Sequence, residues 1–335
     1  MPVTVRSYAK INLGLYIGPR RADGFHDLRT VYQTIALHDV LRLEVVRGAG
    51  IEIRSKDPRV PRDATNTCYR MAERAMEALK ARGKVIIEIE KRLPVRGGLG
   101  GASGNAVAAL LALELALKKR LPGAEKLRIA AEVGSDLPLF LIGGTALGVG
   151  RGEEVYPLPD FPSVPCVIAT PEIGVSTPKA FSDWDALMAA SSAENPSQAN
   201  KLTLSSTSDR INTFSRVISA WLNGSQLKTG KAVSGVPVRN GRGRAETLLL
   251  DLVRTGIEND FEQVVFPQYP ALRDVKNAIK KSGAYYASLS GSGSSLYGLF
   301  STRAAAEKAA AKLSTTGVPA VATSTLTRQQ YWKRF

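Results

Sequence analysis

A glycine-rich segment carries the strongest chemical signal in the sequence. From 94 to 105 it reads Pro94-Val95-Arg96-Gly97-Gly98-Leu99-Gly100-Gly101-Ala102-Ser103-Gly104-Asn105. Its glycines permit positive φ angles and let the backbone approach a ligand closely. The free N–H groups of such a turn, with the dipole of a following helix behind them, favour the di- or triphosphate of a nucleotide. The alternative is a tight turn before a buried helix.

This segment differs from two common nucleotide-binding loops. Nothing in it matches G-x-x-x-x-G-K-[ST], so no lysine follows to reach the phosphates as in a P-loop. The G-x-G-x-x-G spacing of dinucleotide-binding folds is missing, and so is the acidic residue expected downstream. We therefore predict a different kind of phosphate cradle. The cluster Ser103-Gly104-Asn105 is expected to cap a helix over 106–117.

A carboxylate and an amine in apolar surroundings could supply acid–base chemistry. Asp136 precedes the apolar run 137–142, and Lys10 is embedded in an apolar strand pattern. A partly desolvated carboxylate, held ionised by a nearby cation, can act as a general base. The alternatives are a helix N-cap for Asp136 and a lysine at a strand edge whose amine reaches solvent for Lys10.

Two further polar turns carry residues suited to a ligand. Phe25 and His26 lie together in the turn 20–27, where they could stack on a flat base and hydrogen-bond to it. A second glycine turn, Ser290-Gly291-Ser292-Gly293, could close over a phosphate. In both cases a simple hairpin is the alternative.

Hydrophobic periodicity predicts the elements that position these residues. For the first half it predicts a hairpin over 40–46 and 50–53, an amphipathic helix over 66–82 with Cys68 in the core, and a strand over 84–90 that leads into the glycine segment. For the second half it predicts a strand over 165–170, a loop over 171–181, a strand–turn–strand over 285–300, a helix over 302–313 and a last strand over 319–325. The domain division predicted is 1–160 and 161–335, with a polar insertion at about 189–245.

Composition limits the class of protein. The chain has 335 residues, enough for two domains, and a net charge of +15 that favours an anionic partner. With two cysteines and two histidines, a disulfide framework and a histidine–cysteine metal site are not expected, and a reducing cytoplasm fits. The sequence shows neither a secretory signal nor a run long enough to span a bilayer. Cations do not alternate with aromatic residues, which argues against nucleic-acid binding.

Three ordered blocks resemble the GHMP kinases, the superfamily of galactokinase, homoserine kinase and mevalonate kinase. They are Ala9-Lys10-Ile11-Asn12-Leu13, the segment from Leu93 to Ser103, and Leu289-Ser290-Gly291-Ser292-Gly293. Within that superfamily, Arg21-Ala22-Asp23-Gly24-Phe25-His26 is similar to the branch that phosphorylates 4-diphosphocytidyl-2-C-methyl-D-erythritol in the non-mevalonate isoprenoid route. The resemblance covers nearly the whole chain apart from about 189–245. It implies an α+β fold, with a ribosomal-protein-like N-terminal ATP domain, a C-terminal ferredoxin-like α/β sandwich and an active site in the cleft between them.

The resemblance also implies residue roles. Asp136 would take the proton of the substrate 2-hydroxyl as ATP donates its γ-phosphoryl group, with Lys10 orienting the pair. Phe25 and His26 would hold the cytosine with Phe181 on its other side. Asn12 and Thr177 would contact the substrate, and Ser290, Gly291, Ser292 and Gly293 would close over a phosphate. The residues implied in ATP binding are Pro94, Gly97, Gly98, Leu99, Gly100, Gly101, Ala102, Ser103 and Gly104. Mg²⁺ is expected on the ATP phosphates, with Ser103 as its candidate protein ligand.

Some positions depart from the usual pattern of these kinases. Arg96 stands where a glycine or another small residue is common, Gly104 where serine is frequent, and Phe25 where tyrosine is commoner. A homoserine or mevalonate kinase is the alternative within the superfamily, although neither has use for a base clamp. A basic nucleic-acid-binding protein is the alternative outside it. The predicted partners are small molecules alone, and the predicted state is a monomer or a homodimer.

Overall fold

The computed structural model describes residues 2–95, 97–193 and 257–335. Most of the polar insertion, and the helices predicted over 211–222 and 245–254, lie outside these residues. The strands are β1 (Val3–Arg20), β2 (His26–Val46), β3 (Ile51–Ser55), β4 (Lys84–Glu90), β5 (Thr145–Val149), β6 (Glu154–Pro157), β7 (Pro165–Ala169), β8 (Tyr286–Leu289), β9 (Leu296–Leu299) and β10 (Ala320–Ser324). The helices are α1 (Thr67–Ala78), α2 (Gly101–Leu117), α3 (Gly123–Val133), α4 (Leu137–Ile142), α5 (Thr177–Ala193), α6 (Phe261–Gln268), α7 (Pro270–Lys281), α8 (Arg303–Thr315) and α9 (Arg328–Arg334).

The first sheet has six strands in the order β3-β4-β2-β5-β6, with β1 paired to β2. The hairpin predicted over 40–46 and 50–53 is wrong. Residues 40–46 are the end of β2 and pair antiparallel with β4, whereas β3 pairs parallel with the far edge of β4. The alternating pattern identified both segments as strands, but it carries no information on which neighbour each one pairs with.

Helices α1 to α4 and this sheet enclose the first core, which includes Cys68 as predicted. Helix α2 begins at Gly101, five residues earlier than expected, because Gly100 takes the N-cap position with φ +67° and no side chain caps the helix. Ser103 and Asn105 therefore lie inside its first turns and not at a cap. Gly104 lets α2 approach β1, since a Cβ there would lie 2.7 Å from the carbonyl oxygen of Tyr8.

The second sheet has the order β10-β7-β9-β8, and helices α5 to α8 pack with it around a separate core. Helix α9 was not predicted from the sequence. Its start carries a detectable signal, because Thr327 and Gln330 form a reciprocal capping box. Among the described residues, no helix combines the length and apolar character needed to cross a lipid bilayer.

Backbone hydrogen bonds connect the two halves. The N–H of Leu15 on β1 donates to the carbonyl of Glu258 at 3.0 Å, and the N–H of Asp260 returns to the carbonyl of Leu15 at 2.9 Å. At another point, the N–H of Leu326 donates to the carbonyl of Thr34 at 2.9 Å. The cleft between the halves is therefore lined by elements that are hydrogen-bonded to one another at its base.

Candidate active site

The glycine segment forms the loop between β4 and α2, as predicted. Gly98 and Gly100 adopt φ angles of +74° and +67°, which side-chain-bearing residues rarely take. A Cβ on Gly98 would lie 2.1 Å from the carbonyl oxygen of Ser290 in the second glycine turn. In the same place the N–H of Ser295 donates to the carbonyl of Gly97 at 3.2 Å. The two glycine-rich segments, 192 residues apart at Ser290 and Gly98, are in direct contact.

A cavity of about 310 Å³ opens on one side of this loop. It is lined by the residues predicted to bind nucleotide, Pro94, Gly97, Gly98, Leu99, Gly100, Gly101, Ala102 and Ser103, together with Asn66, Lys91 and Asn105. Gly104 is the exception and corrects the prediction. Its N–H is used within α2, donating to the carbonyl of Gly100 at 2.8 Å, and its Cα is packed against β1, so it offers no group to a ligand.

A buried aspartate that sequence reasoning missed fixes the start of the loop. Asp39 is 0% exposed and accepts hydrogen bonds from the N–H groups of Arg92 and Leu93 at 2.7 and 2.8 Å, and from the amide of Asn105 at 2.9 Å. The amine of Lys91 forms an ion pair with the same carboxylate. Asp39 thus connects the end of β4 to the first turns of α2, and no local pattern at residue 39 signals this role.

Lys10 and Asp136 meet on the other side of the loop, as predicted. The Lys10 Nζ lies 3.4 Å from Oδ2 of Asp136 and 2.7 Å from Oδ1 of Asn12. The side chain of Lys10 is only 4% exposed, so it is not a strand-edge lysine that reaches solvent. Asp136 occupies the N-cap position of α4 without capping it, so its carboxylate is not used as a cap. Within the described residues, two alternatives are therefore excluded: Asp136 does not cap a helix, and Lys10 is not a strand-edge lysine that reaches solvent.

Asn12 and Tyr32 are hydrogen-bonded to this pair. The Asn12 amide donates to Oγ1 of Thr30 at 2.7 Å while its carbonyl oxygen accepts from Lys10. The Tyr32 hydroxyl donates to Oδ1 of Asp136 at 2.9 Å. Burial, and then the negative charge of Asp136, hold the pKa of Tyr32 well above its usual value, so the phenol keeps its proton. Sequence reasoning missed Tyr32, because nothing local links it to a residue 104 positions away.

A larger cavity of about 590 Å³ surrounds this pair. Its wall contains all predicted catalytic and substrate-binding residues, namely Lys10, Asn12, Phe25, His26, Asp136, Thr177 and Phe181, and also Gly291 and Ser292 of the second turn. It shares Gly98 and Gly100 with the smaller cavity. The two cavities therefore meet at the glycine loop, with Lys10 and Asp136 on the larger side.

The far end of the larger cavity is aromatic, with one departure from expectation. The His26 ring stacks on Phe181, with centroids 4.9 Å apart and planes 9° apart, and its Nε2 lies 2.6 Å from Oδ1 of Asp185. Inserting a base between His26 and Phe181 would need about twice the 3.5–4.0 Å carbon contact distance, so Phe181 does not face His26 across an open slot. Phe25 is 51% exposed, and the guanidinium of Arg151 lies 5.0 Å from its ring.

Thr177 and the second glycine turn form one rim of this cavity. Thr177 is the first residue of α5, not part of a loop as expected, and its Oγ1 lies 2.7 Å from Oγ of Ser292. Asn259 supports the turn from beneath by donating to the carbonyls of Leu289 and Gly291 at 2.9 and 2.7 Å. The turn is thereby held against both the phosphate loop and the substrate cavity.

Comparison with known proteins agrees with this architecture. The family models for the GHMP kinases N terminal domain and the GHMP kinases C terminal match residues 66–144 and 244–318. A 4-diphosphocytidyl-2-C-methyl-D-erythritol kinase of Solibacter usitatus is 36% identical over 299 residues, which cover 89% of this chain and 81% of that protein. The chain belongs to the GHMP kinases. The family and the two-part α+β fold predicted from the sequence blocks are confirmed.

Other GHMP kinases show the same relationship. The enzyme of the same name from Acaryochloris marina is 33% identical, covering 93% of this chain and 91% of its own. A crystal structure of 4-(cytidine 5'-diphospho)-2C-methyl-D-erythritol kinase superposes with a TM-score of 0.68 at 28% identity, covering 96% of this chain and 99% of the other. A homoserine kinase from Cytophaga hutchinsonii reaches the same TM-score at 19% identity, which establishes the shared fold alone.

Proposed function

We infer that this chain is a kinase that transfers the γ-phosphoryl group of ATP to the 2-hydroxyl of 4-diphosphocytidyl-2-C-methyl-D-erythritol, with ADP and the 2-phosphate as products. The product belongs to the non-mevalonate route to isoprenoid precursors. A relative that carries this name is 36% identical over 299 residues, most of both chains. The observation that carries the inference is the meeting of two cavities at the glycine loop, with Lys10 and Asp136 at the junction.

The nucleotide occupies the smaller cavity in this proposal. Backbone N–H groups of the loop and the start of α2 bind the ATP phosphates, with the helix dipole adding a partial positive charge. Among the described residues, no group of three or more histidine, cysteine, aspartate or glutamate side chains is placed to hold a metal ion. The Ser103 hydroxyl, in the wall of the smaller cavity, would be the protein ligand of the Mg²⁺ that accompanies ATP. When bound, the ion offsets negative charge on the phosphates.

The acceptor hydroxyl lies beside Asp136. Its oxygen forms a new bond to the γ-phosphorus, the bond from that phosphorus to the β,γ-bridging oxygen breaks, and the hydroxyl proton passes to the Asp136 carboxylate. Lys10, 3.4 Å from Oδ2 of that carboxylate, places positive charge close to the incoming phosphoryl group. Transfer of this kind depends mainly on positioning and charge stabilisation, and the buried Lys10–Asn12–Thr30 chain of hydrogen bonds supplies the positioning.

The cytidine diphosphate portion extends toward the aromatic end. Phe25, His26 and Phe181 line this end. The exposed Phe25 ring offers a stacking face to cytosine, and the stacked His26–Phe181 pair forms the wall behind it. Arg20 and Arg151 line the same cavity, and their charges suit the diphosphate between cytosine and methylerythritol. Homoserine and mevalonate contain no base, so a homoserine or mevalonate kinase has no use for this end of the cavity.

The test is ATP consumption by the purified full chain with each of three acceptors. We expect ADP to form with 4-diphosphocytidyl-2-C-methyl-D-erythritol and only background with homoserine or mevalonate. Phosphorus and carbon NMR of the product then locate the new phosphate on the 2-hydroxyl. Turnover with homoserine or mevalonate alone would contradict the assignment, as would a product phosphorylated at another position.

A further inference from the structure

The packing around Tyr32 suggests that its hydroxyl has a function besides the contribution of the ring to the core. Its ring is 2% exposed and is accommodated by two glycines on neighbouring backbone. A Cβ on Gly148 would lie 2.4 Å from the ring, and a Cβ on Gly152 would lie 2.6 Å from the hydroxyl oxygen. Any side chain at either position would displace the phenol. The fold therefore leaves space for this ring and for the hydroxyl at its end.

The Tyr32 hydroxyl contacts one carboxylate oxygen of Asp136, and Lys10 lies near the other. The hydroxyl donates to Oδ1 at 2.9 Å, whereas the Lys10 amine is 3.4 Å from Oδ2. The Lys10 amine also lies 5.6 Å from the centroid of the Tyr32 ring, so lysine, phenol and carboxylate form one compact group. A carboxylate that accepts hydrogen bonds from fixed donors is held in one rotamer and favours its ionised form.

We propose that Tyr32 is a positioning residue for phosphoryl transfer: it holds Oδ1 of Asp136 so that Oδ2, beside Lys10, is the oxygen that accepts the substrate proton. The proposal rests on the proposed function and deepens it. The hydroxyl of Tyr32 does not exchange its proton during the step. The proton moves from the acceptor hydroxyl to Oδ2, while the hydrogen bond to Oδ1 is kept throughout.

Removing this hydrogen bond has two consequences. The carboxylate loses a donor to Oδ1, and it is then free to rotate between Lys10 and solvent. Charged and titratable groups beside Asp136 are Lys10 on β1 and Tyr32 on β2. Arg151, on the turn between β5 and β6, lines the same cavity, and Glu153 on that turn acts on Tyr32. Tyr32→Phe leaves all of the others in place.

The test compares Tyr32→Phe with Tyr331→Phe. Both remove the hydroxyl of a buried tyrosine and keep its ring, but the Tyr331 hydroxyl donates to the carbonyl of Phe140 at 2.7 Å, away from Asp136. The first measurement is the ¹³C chemical shift of the Asp136 carboxyl in the ligand-free protein at neutral pH, assigned with Asp136→Asn. The second is kcat with both substrates saturating, together with KM for ATP.

For Tyr32→Phe we expect the ¹³C chemical shift of the Asp136 carboxyl to change, kcat at neutral pH to fall by about tenfold, and KM for ATP to stay at the wild-type value. Tyr331→Phe should show the wild-type chemical shift and kcat. An unchanged chemical shift in Tyr32→Phe, or an equal change in both variants, would overturn the proposal. Inactivity of the wild-type chain would contradict the proposed function instead, since the NMR measurement needs no substrate.

A second variant tests the same contact should Tyr32→Phe fail to fold. Gly152→Ala keeps the tyrosine and places a methyl group where it would lie 2.6 Å from the hydroxyl oxygen, which pushes the donor away from Oδ1. We expect the ¹³C chemical shift of the Asp136 carboxyl to change here as well. A wild-type chemical shift in a folded Gly152→Ala protein would count against the proposed role.

Discussion

The hydroxyl of Ser290 donates to the carbonyl oxygen of Gly98 at 3.0 Å. This contact and the bond from the Ser295 N–H to the Gly97 carbonyl join the phosphate loop to the second glycine turn. Asn259 holds that turn in place. A displacement of one loop therefore displaces the other. The loop that lines the smaller cavity and the rim of the larger cavity are connected through these few backbone atoms.

Gly98→Ala is expected to damage nucleotide binding. The new Cβ would need a φ of +74° and would lie 2.1 Å from the Ser290 carbonyl oxygen, so the two loops must separate. We expect KM for ATP to rise by about tenfold or more and the melting temperature to fall, since residues forced into this region cost on the order of 1–3 kcal/mol. Gly123→Ala is the matched control, because a Cβ there meets nothing within 4 Å. A normal KM for ATP in Gly98→Ala would refute the steric argument.

Asp136→Asn is expected to remove turnover while nucleotide binding persists. The amide keeps the shape of the carboxylate but cannot take the proton, so kcat should fall by about 10²–10⁴-fold. Isothermal titration with an ATP analogue should give an affinity within about twofold of wild type, because Asp136 lies in the wall of the larger cavity only. Asp274→Asn, an exposed carboxylate on α7, controls for loss of charge. Retention of wild-type kcat would remove Asp136 from the mechanism.

His26→Ala is expected to weaken binding of the cytidine substrate and to spare ATP. The change removes the ring that stacks on Phe181 and so disrupts the aromatic end of the cavity. KM for the substrate should therefore rise by about 10–100-fold, equivalent to roughly 1.4–2.8 kcal/mol. His38→Ala provides the control, since His38 lines neither cavity and its Nδ1 contacts the Ala36 carbonyl at 2.8 Å. Equal losses for substrate and ATP would argue against a base pocket at His26.

Stability is expected to decline at alkaline pH. Burial raises the pKa of the Cys68 thiol to about 12 from a usual value of 9.0, and that of Cys166 further still. Above pH 9 the unfolded chain releases protons that the folded chain retains, so the contribution is complete below pH 9 and is lost as pH rises toward 12. Each such group lowers the unfolding free energy by about 1.4 kcal/mol per pH unit in this window.

Urea unfolding at pH 8 to 11 measures this loss. Buried tyrosines with raised pKa values, among them Tyr286 and Tyr331, add to the decline above pH 10. In Cys68→Ala, the unfolding free energy should fall less steeply with pH above pH 9, by the contribution of one ionisable group. An identical slope in Cys68→Ala and wild type would show that this thiol ionises equally in both states.

The parts of the site that could be predicted from the sequence are those formed by a few consecutive residues. The strand over 84–90, the glycine segment and the second glycine turn each lie within a few consecutive residues, and the structure places all three as expected. Lys10 and Asp136 are 126 positions apart in the sequence, so no local pattern predicts that they meet. Their approach was inferred from the chemistry of the two residues and from the resemblance.

The parts that sequence did not predict depend on distant segments. Asp39 gains its role from residues 53 and 54 positions away, and from Asn105 at 66. The direct stacking of His26 on Phe181 depends on where α5 docks, which strand and helix propensities do not specify. The parallel pairing of β3 with β4 has the same origin, because an alternating pattern predicts a strand without its partner.

The exchange of main-chain hydrogen bonds between Leu15 and the segment 258–260 has a consequence for how ligands enter. Because β1 carries Lys10 and Asn12 and is also bonded to the second half, moving the two halves apart would break these hydrogen bonds. We therefore expect ligands to enter through the mouths of the cavities while the halves stay together. For the same reason, we expect that neither fragment produced by cleavage near residue 160 retains an active fold alone.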